Sequence, residues 1–563
     1  MTPGGMAALP SLFDRAWRAR ARWVPALPAL AALACAAVLF VDAHRYFTRP
    51  DPAVLNDFDE GYALALARRM IEGQWLPYVD GVSHRGPVFY WVVAIAAKVW
   101  GYDGWLSMRV LALLLLLANL LLGFLAAGLA RRWTAGGILA TGFASVCLGS
   151  MSSHDGMAAN AELLVNVFAL GAFVALALAL RSLERKVALV WVFVAGALGM
   201  LGGLSKQVGL VALGPLGLWL ACATLSRSSL PRRRRWLLVL VFAAGVITPA
   251  AVVLARYALA GELATFRYYF LTYNTEVYLG GIGHHSAAQF RLFWTRKLDL
   301  LIVAAPFVGL ALVWVLGRTR SLRGLPRSFD AVGAEATIAL EAVVALAIAN
   351  AARRDFGHYY LQVLPWAGLF GGIVVERALA QLSFGSRRRW ARATLLRLAV
   401  LAPATALSIA AWTVRLRQNQ KDGHPGFQSS KWPVCEVVRA HSRADESLFI
   451  WGFEPANYTA CNRRPASRYV YTTFVAGYVP FLAHTMEVEA RLSAPGSKAI
   501  LLRELQASDP AVVLDCPNSM GGRSMLHYPE LERFLRAGYC RLDVDVGGPT
   551  PWVRKLAGRC PAR

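Results

Sequence analysis

The sequence predicts an all-α polytopic membrane domain of about eleven transmembrane helices, joined to a small C-terminal α/β domain outside the cytoplasm. Three observations predict it. Of the 563 residues, 56% are hydrophobic and only 17% charged, against roughly 45–50% and 25% in a soluble domain. The apolar excess gathers in runs long enough to cross a bilayer, such as "VLALLLLLANLLLGFLAAGLA" and "WLLVLVFAAGVITPAAVVLA". The net charge of +25 gathers in short clusters between those runs: "RAWRARAR", "ARRW", "RSLERK", "PRRRRW", "GRTRSLRGLPR" and "GSRRRWARATLLR". Clusters so placed mark cytoplasmic loops, so the basic balance is no sign of a nucleic-acid partner.

Taken in order, Arg15, Arg18, Arg20 and Arg22 precede the first apolar run and place the N-terminus in the cytoplasm. That run has no A-x-A exit before a polar domain and reads as an anchor, not a cleaved leader. Spans are then expected at 27–43, 105–130, 134–151, 162–180, 187–204, 207–225, 236–258, 299–316, 333–351, 359–376 and 393–413. Every arginine cluster falls on the cytoplasmic side, and the C-terminus lies outside. The apolar piece "PVFYWVVAIAAKVWG" is read as a re-entrant or membrane-surface helix, because a twelfth span would turn every later cluster outward. The outer segments are a first loop at about 44–104, the turn "SSHDGMAANAE", a loop at about 259–298 and the tail. The chain divides into a membrane domain, 1–414, and an extracytoplasmic domain, 415–563, of a multi-pass protein of the cytoplasmic (inner) membrane.

Composition shifts near Arg415, where "RLRQNQKDGHPGFQSSKW" reads as a polar linker. Beyond it, "SLFIWG", "AVVLDC", "CRLDVDVG" and "WVRKL" read as strands, and "PANYTA" and "PELERFLRAG" as helices. Cys435, Cys461, Cys516, Cys540 and Cys560 lie in this tail, where an oxidising compartment permits disulfides. The number is odd, so at least one stays free or pairs elsewhere, and spacing does not fix the pairing.

The chemistry-bearing residues sit at the outer ends of spans. "NDFDEGYALALARRMIEG" opens with Asp57, Asp59 and Glu60; Ala63, Leu66, Ala67, Met70 and Ile71 share one helical face, and Arg68, Arg69 and Glu72 fall on the other side. That pattern suits a helix lying in the membrane surface. Asp57 and Glu60 have capping-box spacing; Asp59 is not needed for the cap and can accept a proton. His84 and Arg85 precede Gly86-Pro87, Glu162 stands at a span mouth near His154 and Asp155, and Lys206 interrupts "GGLSKQVG". Arg353, Arg354, His358, Tyr359 and Tyr360 stand at a further mouth. Guanidinium and ammonium groups there suit an anionic group arriving from the bilayer. Almost nothing ionisable is expected deeper in the spans, which argues against a proton or ion path.

These segments, in this order, resemble the GT-C glycosyltransferases. The resemblance spans about residues 50–380 and is to the glycosyltransferase family 39-like group of protein O-mannosyltransferases, the aminoarabinose transferase of lipid A and the RgtA/B/C/D-like enzymes. It rests on "DFDEGYALALARRMIEGQWLPYVDG…HRGPVFYW", "NAELLVNVFAL", "GGLSKQVGLVALGPL" and "HYYLQVLPWAGLFGG". It implies transfer of a sugar from a polyprenyl-phosphate carrier to a lipid, glycan or protein acceptor at the extracytoplasmic face. In that scheme Asp59 is the general base with Glu60 in support, and Arg85, Lys206 and Arg354 hold the lipid phosphate. His84, Glu162, Tyr359 and Tyr360 line the substrate pocket. A divalent metal is left open by the resemblance, with His84, Glu162 and His284 as candidate ligands; no other cofactor is implied. The chain departs from the common Lys-Pro-Pro by reading Arg85-Gly86-Pro87. The competing readings are a transporter or flippase of lipid-linked glycans, and a non-catalytic membrane scaffold.

Overall fold

The computed structural model describes residues 58–102, 106–131, 158–279, 329–351, 357–370, 433–479 and 485–560. The expected spans at 27–43, 134–151, 299–316 and 393–413 lie outside them, as do the linker, His154, Asp155, His284, Arg353 and Arg354. Among the described residues six helices are long and apolar enough to cross a membrane. They comprise α3 (Leu106–Arg131), α4 (Ala161–Leu180), α5 (Val187–Ser205), α6 (Leu213–Ser226) with the 3-10 turn Gln207–Ala212 before it, α7 (Arg232–Leu259) and α8 (Phe329–Ala351). Each coincides with an expected span.

Among the described residues two shorter helices precede these, α1 (Phe58–Glu72) and α2 (Pro87–Trp100). With 14 residues, α2 is too short to cross a bilayer. Helix α1 does not lie open on a surface. Tyr62 through Ala67 are each no more than 2% exposed, because α1 is packed between α2 and the C-terminal domain. Its polar side meets that domain, with Glu72 still open to solvent. Arg69 Nη1 donates to the Pro465 carbonyl at 2.9 Å, Arg68 Nη1 donates to Asn462 Oδ1 at 3.1 Å, and Arg464 Nε lies 2.8 Å from Glu72 Oε2.

The C-terminal domain is a five-stranded sheet of order β2-β1-β3-β5-β4. Its strands are β1 (Ser447–Trp451), β2 (Arg464–Pro465), β3 (Val512–Asp515), β4 (Tyr539–Arg541) and β5 (Thr550–Arg554). The β2-β1-β3 part is parallel, and β5 and β4 add antiparallel at one edge. Strands β1 and β3 read as continuous apolar runs because both faces are covered. The strand expected over "CRLDVDVG" stops at Arg541. Beyond it Asp545 Oδ1 accepts from Gly547 N at 2.9 Å, and Gly547 and Gly548 turn the chain at φ 81° and 127°. One apolar core runs without a break through α1, α2, the segment Phe266–Val277 and the sheet; a second fills the space among α4, α5, α6 and α8.

Four of the five tail cysteines pair, Cys435 with Cys461 and Cys540 with Cys560, and Cys516 is free and buried. The Cys435–Cys461 bridge closes a loop of 26 residues against β1. Cys461→Ser should lower the domain's stability by about 3 kcal/mol, read as a fall in the denaturant midpoint, with a steeper slope because the unbridged denatured chain exposes more surface.

Candidate active site

The first turn of α1 carries two carboxylates that do different work. Glu60 is 1% exposed. Its Oε1 accepts from Ala159 N at 2.7 Å and its Oε2 lies 3.5 Å from Arg109 Nη1 on α3, so it clamps α1 to α3 and to the start of α4. Successive helical residues point about 100° apart, and Asp59 accordingly faces another way. It pairs with Arg85.

Arg85 is placed by a loop whose hydrogen bonds leave it little freedom. The Tyr257 hydroxyl on α7 donates to the Pro77 carbonyl at 2.9 Å, and the Tyr78 hydroxyl donates to the Arg85 carbonyl at 2.6 Å. Gly86 N donates to the Ser205 carbonyl at 3.1 Å. A Cβ at Gly86 would overlap the Leu204 carbonyl oxygen. That explains the Arg-Gly-Pro sequence: a proline at this point would lack the N–H and collide with α5. The contact sets Arg85 beside the end of α5, where Lys206 breaks the helix with an extended backbone, φ −154° and ψ 134°.

Lys206 pairs with Glu162, which is fully buried in the first turn of α4. His358, on the 3-10 turn Gly357–Gln362, puts Nε2 3.9 Å from Glu162 Oε1. The Lys206 Nζ lies 4.4 Å from the ring centroid of Tyr359. Tyr359 shares a hydroxyl–hydroxyl hydrogen bond with Tyr278, whose ring stacks on His84 at 4.9 Å. Asp59, Arg85, Glu162, Lys206, His84 and Tyr359 thus form one contiguous group. Tyr360 turns aside, donating to Asn350 Oδ1 on α8 at 2.7 Å.

The electrostatics are those of a buried ion pair. Burial raises the Asp59 carboxyl, but Arg85, His358 and Lys206 outweigh it and bring it down to about 2. Burial lowers the Arg85 guanidinium and Asp59 more than reverses this, holding it well above the usual range. Among the described residues the buried Arg85 Nε and Nη1 have no hydrogen-bond partner, nor does Glu162 Oε2. Asp59 and Lys206 keep 21% and 14% of their side chains exposed, so they form the accessible rim. No group of three or more His, Cys, Asp or Glu side chains is placed to hold a metal among the described residues. Of the candidate ligands, His84 is stacked and Glu162 is paired with Lys206.

Sequence reasoning missed three features here. The C-terminal domain roofs the site: Tyr471 meets Tyr62 edge-on at 4.5 Å, and Phe474 lies 4.7 Å from Tyr273. Tyr278 belongs to the aromatic-rich π-helical segment Tyr268–Leu279, whose composition could have flagged it. Glu335 and Glu341 are buried on α8, correcting the expectation of spans nearly free of ionisable groups. In "GAEATIALEAVVALAIAN" they are hidden by an otherwise apolar string.

No protein-family model and no curated protein sequence matches the chain. Its likeness is to solved structures. ArnT from Cupriavidus metallidurans bound to undecaprenyl phosphate superposes with TM-score 0.55 at 16% identity, over 94% of this chain and 99% of ArnT. The chain has the GT-C fold. The apo form of the same ArnT gives TM-score 0.55 at 17% identity, over 97% of this chain and 100% of ArnT. The apo oligosaccharyltransferase of Archaeoglobus fulgidus, also of the GT-C fold, gives TM-score 0.52 at 13% identity, over 95% of this chain and 75% of that one. At such identities the likeness speaks for the fold; the chemistry rests on the residues.

Proposed function

We propose that the chain is a membrane glycosyltransferase. It moves a sugar from a polyprenyl-phosphate carrier to a lipid, glycan or protein acceptor at the extracytoplasmic face, with Asp59 as general base. The observation that carries this reading is the meeting of Asp59 and Arg85 with Lys206 and Glu162, from four separate chain segments, in one group. A scaffold has no need of a carboxylate, two cations and unsatisfied guanidinium donors in one place.

The donor phosphate takes the two unpartnered Arg85 donors and Lys206. An acceptor hydroxyl enters from the Asp59 side. Asp59 removes its proton as the oxygen attacks the anomeric carbon, and the bond from that carbon to the phosphate oxygen breaks. The bonding pair stays on the phosphate, where Arg85 and Lys206 stabilise the growing charge. Attack opposite the leaving phosphate inverts the anomeric centre. Glu162 keeps Lys206 aimed, and Glu60 holds α1 so that Asp59 keeps its place. The displacement described uses the chain's own groups.

The pairing of Asp59 with Arg85 also gives an order of events. With Arg85 beside it, Asp59 is held at about 2 and is a weak base. A phosphate that binds Arg85 and Lys206 neutralises both cations and restores the carboxylate's basicity. The donor therefore binds first and switches on the base.

The test is binding of undecaprenyl phosphate to the full-length protein in detergent. Lys206→Met should weaken it by roughly 10- to 100-fold, the value of one charge-assisted contact. Unchanged affinity in that variant would remove Lys206 from the phosphate seat.

A further inference from the structure

We infer that Glu341 is a positioning residue behind the phosphate seat: through one bound water it holds the 3-10 turn that carries His358 and Tyr359 against the Glu162–Lys206 pair. This rests on the transferase reading above.

The first argument is a cavity. It measures about 20 Å³ and lies between α4, α8 and the 3-10 turns Gln207–Ala212 and Gly357–Gln362. Glu341, Asn166 and Gln362 line it among mostly aliphatic walls. A buried water needs about 10–15 Å³ and two to four polar partners. The cavity therefore suits one water held by three side chains.

The second argument is an unmatched group. Glu341 is 3% exposed, and its buried Oε1 has no hydrogen-bond partner among the described residues. Leaving a buried acceptor unmatched costs about 1–3 kcal/mol. The aliphatic walls would take a leucine at this position without that cost. An ionisable side chain inside a span marks function more often than stability, and the displacement proposed above makes no use of this one.

The third argument is placement. Asn166 stands one turn beyond Glu162 on α4. Its Nδ2 donates to the Leu361 carbonyl at 2.6 Å, so α4 already grips the turn that carries His358 and Tyr359. Gln362 is the next residue of that turn. A 3-10 turn has poorer internal hydrogen bonds than an α-helix, so its set depends on what packs against it. A water shared by Glu341, Asn166 and Gln362 adds α8 to the grip. The turn in its place puts His358 Nε2 3.9 Å from Glu162 Oε1 and the Tyr359 ring 4.4 Å from Lys206 Nζ. The far wall of the cavity is the turn that follows Lys206, where Gly209 N donates to the Lys206 carbonyl at 2.8 Å. The water thus sits directly behind the residues that aim Lys206.

The test measures undecaprenyl phosphate binding and the thermal midpoint of the full-length protein in detergent. Glu341→Leu should weaken binding about five- to ten-fold, the worth of one hydrogen bond. Its midpoint should be no lower than that of the wild type, because the unmatched oxygen is gone. Glu341→Gln, which still reaches the water, should bind within about two-fold of wild type. Gln362→Leu should weaken binding as Glu341→Leu does, and the double variant should lose no more than either single one, because both remove the same water. The inference is overturned if Glu341→Leu binds as the wild type does, if it lowers affinity and midpoint together, if Glu341→Gln binds as weakly as Glu341→Leu, or if the two losses add. Failure of the wild type to bind undecaprenyl phosphate would overturn the transferase reading instead.

Discussion

Asp59→Asn abolishes transfer, lowering kcat by about 10³-fold or more, and leaves undecaprenyl phosphate bound at least as tightly as in the wild type. The two halves of this result belong together. Asparagine fills the same space and can still accept from Arg85, but it cannot take a proton. Removing the carboxylate's charge also removes the group that competes with the phosphate for Arg85. A residue with only a structural role would lose binding and turnover in parallel.

The same pair makes a pH prediction whose sign can be worked out. A general base acts in its ionised form, and in the free protein Asp59, proposed for that role, is held at about 2. The profile of kcat/KM, which reports the free enzyme, should therefore show no acid limb from Asp59 at pH 4 and above. In the donor complex the phosphate neutralises Arg85 and Lys206, so the acid limb of kcat should lie at higher pH than that of kcat/KM. Coincident limbs would contradict donor-first activation. The linkage to stability has the opposite partner state: a depressed carboxyl contributes stability above its unfolded value, and that contribution is lost as pH falls toward about 2.

Gly86→Ala is the second large effect, and it acts without removing any charge. The added methyl would overlap the Leu204 carbonyl oxygen, which is backbone and cannot swing away. Relief requires the loop to back off from α5, which breaks the Gly86 N to Ser205 O hydrogen bond and draws Arg85 away from Lys206. A misplacement of about 1 Å can cost about 100-fold in rate, and overpacking adds about 1–3 kcal/mol of destabilisation. The expected result is a transfer rate down by about 100-fold with a folded, less stable protein. Wild-type turnover in Gly86→Ala would show that the loop's approach to α5 does not position Arg85.

Much of this was legible in the sequence because the relevant signals are local. Apolar length and arginine clusters placed the six described spans, and the same clusters, which a further span would have turned outward, kept "PVFYWVVAIAAKVWG" from being counted as another. Asp59, Arg85, Glu162 and Lys206 stood out as charges beside apolar runs, where a charge is costly unless it has a partner. The rest depends on contacts between distant segments, which leave no local pattern. Glu60 resembled a helix cap until Ala159 and Arg109 supplied its partners. Helix α1 carried the moment of a surface helix, but its polar side is matched by Pro465, Asn462 and Arg464. The roof of Tyr471 and Phe474 comes from a domain whose sequence carries no motif for such a role. Tyr360 differs from its neighbour Tyr359 only in which side of one 3-10 turn it occupies, and sequence does not separate them.

The measurement that tests the central claim most directly is a cryo-EM structure of the full-length protein with undecaprenyl phosphate bound. The account predicts phosphate oxygens within about 3 Å of Arg85 and Lys206, with Asp59 released from Arg85 and facing the position of the anomeric carbon. A phosphate bound away from Arg85 and Lys206, with the Asp59–Arg85 pair intact, would contradict it.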